Sequence, residues 1–329
     1  LNDLKSLLRL SPWLRTKRPA HAFVLSRGRL TYVGPEPPSR SAKGIPPTLR
    51  VLSRPLPEDA FVPGPAGIPL AAPSLAGAAA RLLAEAAVKM PAAALVVPDD
   101  FVHVLVVDVE EPERHAKEVE EILTWKFGRT FGEPVPPLRL SWQEAGPGAS
   151  GTRVVALTVP EEAAASWEAP FERAGIRIGA VEIESLAVSS LGSRSLSGDG
   201  LVVWAHGATA SVAYFEKGSL RFLRVRTASD TLSALQEVRL TASYVAPPVP
   251  STGDASPESA EPPLARIPCA AGPYGEPVVD AFLAFRAESG GAPVVPLSLE
   301  ALLPGTRVAS GRANGSDVLA ALGAMAGGD

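Results

Sequence analysis

Asp99 and Asp100 stand side by side after the apolar run Ala93 to Val97, and paired carboxylates in such a place could work as general acid and base. They also follow Pro98 at a strand end, where aspartate commonly makes a turn, and the turn is the reading adopted. His21, His103, His115 and His206 are scattered without a metal-ligand spacing, and no Ser, His and Asp occur in a nucleophile-elbow context. Cys269 is the only cysteine, which excludes an intrachain disulfide, a Cys-rich zinc site and a redox pair. A phosphate-gripping loop needs glycines that free backbone N–H groups and a lysine that reaches the phosphates; no GxxxxGK[ST] occurs, so that ATPase class is excluded. What remains is a set of glycine-bearing turns. Leu25-Ser26-Arg27-Gly28-Arg29 and Trp204-Ala205-His206-Gly207-Ala208-Thr209 read as tight β turns, and Cys269-Ala270-Ala271-Gly272-Pro273 reads as a turn at a helix start.

Composition narrows the function classes further. The chain has 329 residues, 46% hydrophobic and 20% charged, as expected for one large or two medium packed domains. Its formal net charge of −4 supplies no global field for nucleic acid, so no nucleic-acid partner is expected. The longest apolar stretches, Leu75 to Val88 and Leu95 to Val109, are interrupted by Arg81, Glu85, Asp99, Asp100 and Asp108, well short of the roughly 20 apolar residues of a membrane span. The N-terminal region shows no apolar core followed by a small-residue cleavage site, so a signal peptide is not expected.

The elements that must position these residues follow from periodicity and breakers. Leu4, Leu7 and Leu8 share one face of a short helix capped by Asn2 or Asp3 and stopped by Pro12, with Lys5, Arg9, Arg15, Lys17 and Arg18 making the arm basic. This arm is either solvated or docked on its own domain, or else a membrane-surface or partner-binding element. His21 to Val33 reads as two strands turning at Arg27-Gly28, and Thr48 to Leu52 as a short strand in a Pro- and Gly-rich stretch. Ser74 is the expected cap of a helix through Lys89. A buried strand Ala93 to Val97 leads to a strand, helix, strand, strand module: Phe101 to Val109, Pro112 to about Phe127, Leu138 to Gln143 and Val154 to Val159. Pro160 opens a helix ending near Ala174-Gly175, before an extended Ile176 to Val181 and a helix Glu184 to Leu191. From Leu201, three β runs joined at Gly207 and Lys217-Gly218 lead into a helix Ser229 to Tyr244. Ala246 to Pro263, rich in Pro, Ser, Glu and Asp, reads as a linker or disordered loop. Strand Ala265 to Ala270, helix Val278 to Ala287, strand Pro293 to Leu297 and helix Asp317 to Met325 complete the chain. Trp125, Trp142 and Trp167 read as local packing residues.

The order of elements from Ala93 to Thr227, with phrases such as Leu123-Thr124-Trp125-Lys126-Phe127 and Phe215-Glu216-Lys217-Gly218-Ser219-Leu220, resembles PilM, the actin-like protein of type IV pilus assembly, within the superfamily that includes FtsA. The resemblance implies an α/β fold: an actin-like, ribonuclease H-like pair of lobes with an inserted 1C-type subdomain. It divides the chain into an arm at 1–19, a first lobe at 20–98 resumed at 160–199, the inserted module at 99–159 and a second lobe at 200–329. Family members with ATPase activity carry an acidic residue in each hairpin and a glycine-rich adenosine loop. Here the corresponding positions are Ser26 and Gly28, then Gly207 and Thr209, then Gly272, so both carboxylates are missing from the hairpins. The small 2B subdomain that walls the nucleotide cleft in the family is also missing or reduced, because Thr227 runs almost directly into the next helix.

By the same resemblance the chain is expected to be a scaffold on the cytoplasmic side of an inner-membrane assembly platform. It would be a pseudo-ATPase with no cofactor and weak or absent ATP binding. The implied partner is the N-terminal tail of a PilN-like bitopic membrane protein, along with other platform proteins, and the basic arm offers peripheral membrane association. The tail's groove would be lined by Leu105, Val107, Ile122, Leu123, Phe127 and Phe131. Two alternatives stay open: the cytoplasmic domain of a GspL-like type II secretion component, and an actin-like ATPase or phosphotransferase.

Overall fold

The computed structural model describes residues 19–36, 48–87, 90, 92–110, 116–131, 137–196, 199–207, 209–245, 267–271, 275–289, 294–303, 306–309 and 315–325. The expectations for the arm up to Arg18, for Ala246 to Pro263 and for Gly272 lie outside these residues. The described elements run in the order β1 (Ala22–Ser26), β2 (Arg29–Pro35), β3 (Thr48–Pro55), β4 (Phe61–Val62), β5 (Leu70–Ala71), α1 (Pro73–Ala86), β6 (Ala92–Val97), β7 (His103–Val109), α2 (Ala116–Phe131), β8 (Leu138–Pro147), β9 (Thr152–Pro160), α3 (Glu161–Glu172), β10 (Arg177–Ile183) and α4 (Glu184–Gly192). They continue with β11 (Gly200–His206), β12 (Thr209–Glu216), β13 (Ser219–Thr227), α5 (Thr231–Val245), β14 (Ile267–Ala271), α6 (Glu276–Ser289), β15 (Val294–Pro296), α7 (Leu299–Leu302), β16 (Arg307–Ala309) and α8 (Gly315–Met325).

The first sheet has the order β10-β6-β1-β2-β3-β16 and the second β13-β12-β11-β14-β15. Each begins with three antiparallel strands and adds parallel strands beside its first strand, while β16 pairs in parallel with β3 at the far edge of the first sheet. Antiparallel neighbours need only a turn, here Arg27-Gly28, Gly207 and Lys217-Gly218; parallel neighbours need a helical crossover, which α1, α5 and α6 contribute. The repeated order is a structural duplication of two lobes. At Lys217 and Gly218 the backbone enters the left-handed region, with φ of 51° and 78°, as a two-residue hairpin loop requires.

Two helices lie between the sheets. Every residue of α4 from Glu184 to Gly192 is buried, as is every residue of α8 from Ser316 to Met325, so both are covered on all sides rather than on one stripe. They pack on each other, and α8 also packs on β1, β2 and β6 while α4 reaches β11, β12 and β14. Small residues permit the crossing: a Cβ at Gly323 would lie 1.9 Å from the Ala187 carbonyl oxygen. Ala22, Val24, Ala94 and Val96 of the first sheet and Trp204 and Ala270 of the second close one apolar cluster around these helices.

Elsewhere the local rules hold with two shifts. Pro73 occupies the first turn of α1 with Ala72 at the cap; Ser74, expected as the cap, lies within the helix and donates its hydroxyl to the Asp59 carbonyl at 3.0 Å. Ala87 adopts φ 49°, which ends α1 at Ala86 rather than Lys89. On the other face of the first sheet, Phe23, Phe101, Trp167 and Phe171 form a fully buried aromatic group, each ring worth about 1.5–3 kcal/mol of burial, with the Trp167 Nε1–H donated to the Pro69 carbonyl at 2.9 Å.

The inserted module is the separate sheet β7-β9-β8 with α2 laid across it. Val119, Leu123 and Phe127 recur every four residues and seat on Val109, Val154 and Ala156, flanked by Leu105, Val107, Leu140 and Trp142. Alternation along the strands sends Val104, Val106, Val155 and Leu157 to the opposite face, where they join the main core with Phe215 and Leu220 of the second lobe. Arg139 of β8 clasps Glu161 through two nitrogens, at 3.0 and 2.6 Å, and Glu168 at 2.6 Å, tying the module to α3. Only Ala228, Ser229 and Asp230 separate β13 from α5. The architecture is therefore α/β, an actin-like pair of lobes carrying an inserted module.

Candidate functional site

The β1–β2 turn, the end of β6, the start of α4 and the β11–β12 turn meet in a cleft of about 440 Å³ between the lobes. Ser26, Gly28, Gly207 and Thr209, which lie far apart in sequence, all line it. Antiparallel hairpins place their turns at the same end of each sheet as the following parallel strand's C-terminus, so the topology itself brings these turns together.

The cleft floor also holds residues whose importance the sequence did not disclose. Asp99 does lie in the expected turn, a 3-10 segment Asp99–Phe101, but its carboxylate is buried rather than solvated. Its Oδ1 accepts the Ser185 backbone N–H at 3.0 Å and its Oδ2 accepts the Ser211 hydroxyl at 3.1 Å. Glu184, 1% exposed, places Oε2 2.5 Å from His206 Nδ1. Behind the cleft lining, Asp317, 3% exposed, accepts the Thr31 hydroxyl at 2.6 Å. At the rim Arg27 pairs with Asp100 at 2.5 Å. Glu184 and Asp317 occupy the first turns of the two central helices, where the positive end of each helix dipole favours a carboxylate. The available signal was one acidic residue opening each of two otherwise apolar helical runs, Glu184-Ser185-Leu186-Ala187-Val188 and Asp317-Val318-Leu319-Ala320-Ala321.

Burial dominates the electrostatics. It pushes the Glu184 carboxyl up to about 7 against the His206 hydrogen bond and charge, which favour ionisation. Burial likewise raises Asp99 in spite of its bonds to Ser185 and Ser211, and raises Asp317 in spite of Thr31 and Arg29. Desolvation works against the His206 imidazolium, yet the hydrogen bond and charge of Glu184, with Asp99 and Asp317, hold it above the ordinary histidine value. Among the described residues, no three His, Cys, Asp or Glu side chains are grouped so as to hold a metal ion. His21 bonds Tyr32 at 2.9 Å and takes no part in the cleft.

On the module, the proposed groove residues divide. Leu123 and Phe127, expected in the groove, are 0% and 2% exposed and belong to the module's own core, so neither can line a groove; their four-residue spacing is the seam that holds α2 to its sheet. Ile122 is 43% exposed, and Leu105 and Val107 are half-buried on β7. The Phe131 side chain lies outside the description. Trp125, expected to be packed, is 59% exposed with Arg129 over its ring at 5.1 Å. Strand β7, paired only with β9 among the described strands, is an edge of its sheet.

The two sheets of like topology, the paired buried helices and the hairpin turns meeting in one cleft define an actin-like fold. The chain is similar to a chain of a solved PilM–PilN type IV pilus biogenesis complex, at a TM-score of 0.66 and 18% identity over 94% of this chain and 98% of that one. It is also aligned with an actin-like ATPase-fold protein of unknown function from Bacteroides thetaiotaomicron (TM-score 0.48, 9% identity, 93% and 96% covered) and with the cytoplasmic domain of EpsL, an inner-membrane component of the Vibrio cholerae type II secretion system (0.43, 9%, 77% and 82%). No family model and no curated protein matches the sequence. Among the described residues no helix is long and apolar enough to cross a membrane.

Proposed function

We propose that this protein is a PilM-like scaffold on the cytoplasmic face of a pilus or related assembly platform. Its inserted module would hold the short tail of a PilN-like membrane protein. The observation that carries the reading is the module's outer surface. An edge strand, β7, runs beside a helix that leaves Ile122 and Trp125 exposed while its neighbours Leu123 and Phe127 anchor it. An extended segment can add main-chain hydrogen bonds to such an edge and seat an apolar side chain against the exposed flank. The class of partner comes from the similarity to a chain solved in a PilM–PilN complex.

The cleft supports a companion proposal, that the protein does not hydrolyse ATP. Mg²⁺ with nucleotide needs ionised oxygens directed at the ion. Here Asp99, Glu184 and Asp317 are engaged by Ser185, Ser211, His206 and Thr31, and burial favours their protonated forms. These residues do not suit the ion. The test is fluorescence anisotropy with a labelled cytoplasmic tail peptide of the PilN-like protein, alongside ATP turnover. Ile122→Asp and Trp125→Asp are expected to weaken binding at least tenfold with the fold intact. Unchanged affinity in both variants, or no binding by the unaltered chain, refutes the groove; magnesium-dependent turnover refutes the pseudo-ATPase reading.

A further inference from the structure

The polar contacts of the cleft floor cross from one lobe to the other. Asp99 follows β6 of the first sheet and is bonded by Ser211 of β12 in the second. Glu184 begins α4 directly after β10 of the first sheet and meets His206 at the end of β11 in the second. Both contacts are shielded from water, with His206 the most accessible member. The charged groups that face them are few. The β1–β2 turn contributes Arg27 and Arg29, the residues after β6 contribute Asp99 and Asp100, α4 contributes Glu184, β11 contributes His206 and α8 contributes Asp317. β12 offers only the hydroxyls of Thr209 and Ser211.

Arg27 is engaged by Asp100 at the rim, and Arg29 acts on Asp317. That leaves three buried carboxyl groups whose charges act on one imidazole, Glu184 in direct contact and Asp99 and Asp317 at longer range. Fully ionised, they would bury more negative charge than His206 and Arg29 can balance, at a cost of several kcal/mol per uncompensated ion. Protons are the remaining counter-charge. When the lobes part, water reaches all four groups and that need vanishes.

We propose that the Glu184–His206 and Asp99–Ser211 contacts form a proton-linked latch between the lobes, which takes up protons on closing and releases them on opening. The inference rests on the reading that the cleft is not a nucleotide site, since a bound cation would replace the protons as counter-charge. The raised Glu184, Asp99, Asp317 and His206 groups all act in one direction: each binds a proton more tightly in the closed form, so rising pH favours opening. A partner that grips both lobes would change their proton content, and pH would change its affinity in return.

The test uses the full chain with spin labels on Arg81→Cys of α1 and Asp280→Cys of α6, both exposed, while the native Cys269 is buried. Pulsed electron paramagnetic resonance reads the distance between lobes from pH 5.5 to 8.5. The open-to-closed ratio is expected to rise with pH, by about tenfold per unit for each proton released within the titrating window. Glu184→Gln and His206→Gln should each flatten that response. Ser211→Ala, which leaves every titratable group in place, should raise the ratio at all pH values and keep the slope. A distance distribution that ignores pH in the folded protein overturns the latch, as does a slope unchanged in either Gln variant that folds. ATP turnover by the unlabelled protein would overturn the functional reading above and with it the protons' role as counter-charge, whereas a distance that ignores pH in a protein without turnover overturns the latch alone.

Discussion

Replacing Glu184 by Gln should change how stability depends on pH more than it changes stability at any one pH. The native carboxyl sits at about 7 against an ordinary 4.5, because it is buried beside Asp99 and Asp317. Between those two values the folded chain holds a proton that the unfolded chain has already lost. A raised acid therefore costs stability progressively as pH rises through this window and levels off above it. At 1.36 kcal/mol per unit the loss amounts to about 3 kcal/mol, from Glu184 alone. The amide side chain has nothing to titrate and fits the same space, so the variant escapes the loss. The substitution also removes the chief influence that raises His206, whose contribution is present below its ordinary value of 6.5 and is lost as pH climbs through its higher folded value. Both effects have the same sign. The stability of Glu184→Gln minus that of the native chain should thus increase by about 3 kcal/mol from pH 4.5 to pH 7.5, measured by urea denaturation at half-unit steps. Parallel stability curves over that range would refute the assignment of a buried, proton-holding Glu184.

Two further outcomes test the packing. Gly323→Ala gains about 1 kcal/mol of helix propensity, but its methyl would stand 1.9 Å from the Ala187 carbonyl oxygen and must drive α4 from α8 by more than 1 Å; a net loss of about 2 kcal/mol or more is expected in urea, and a neutral result would show that the helices do not cross there. Phe127→Ala should cost about 3–5 kcal/mol and Trp125→Ala no more than about 0.5 kcal/mol, because the first ring is core and the second is exposed; similar costs in the same denaturation assay would overturn the division of α2 into an anchoring and an open face.

The secondary structure was largely legible because it rests on short-range rules. Arg27-Gly28, Gly207 and Lys217-Gly218 are turn residues between alternating apolar runs, and they made the β1–β2 hairpin and the β11-β12-β13 meander readable, whereas the pairing of β3 with β2 was not. The helix at Ala116–Phe131 was readable from Val119, Leu123 and Lys126, but the sidedness of α2 was not. Phe127 and Trp125 are both aromatic residues on one amphipathic helix, and only the position of the sheet beneath decides which is covered. Ser74 was misplaced for a related reason: a hydroxyl near a helix start also satisfies the cap rule when the real first turn is made by Pro73.

Residue order alone dictates the α/β alternation, the inserted strand-helix-strand-strand module, the missing hairpin carboxylates and the nearly direct step from β13 to α5, all of which depend on residues close together in the chain. The cleft is a product of long-range packing. Ser211 lies 112 residues from Asp99, and Thr31 lies 286 from Asp317, separations over which no periodicity or motif carries information. Even Glu184 and His206, 22 residues apart, meet only because α4 leaves the first sheet and packs under the second. An acidic residue opening an apolar helix looks the same in sequence whether it caps that helix in water or is buried against an imidazole. Packing of the two sheets around α4 and α8 excludes the water, and that exclusion turns scattered polar residues into a coupled, proton-holding site.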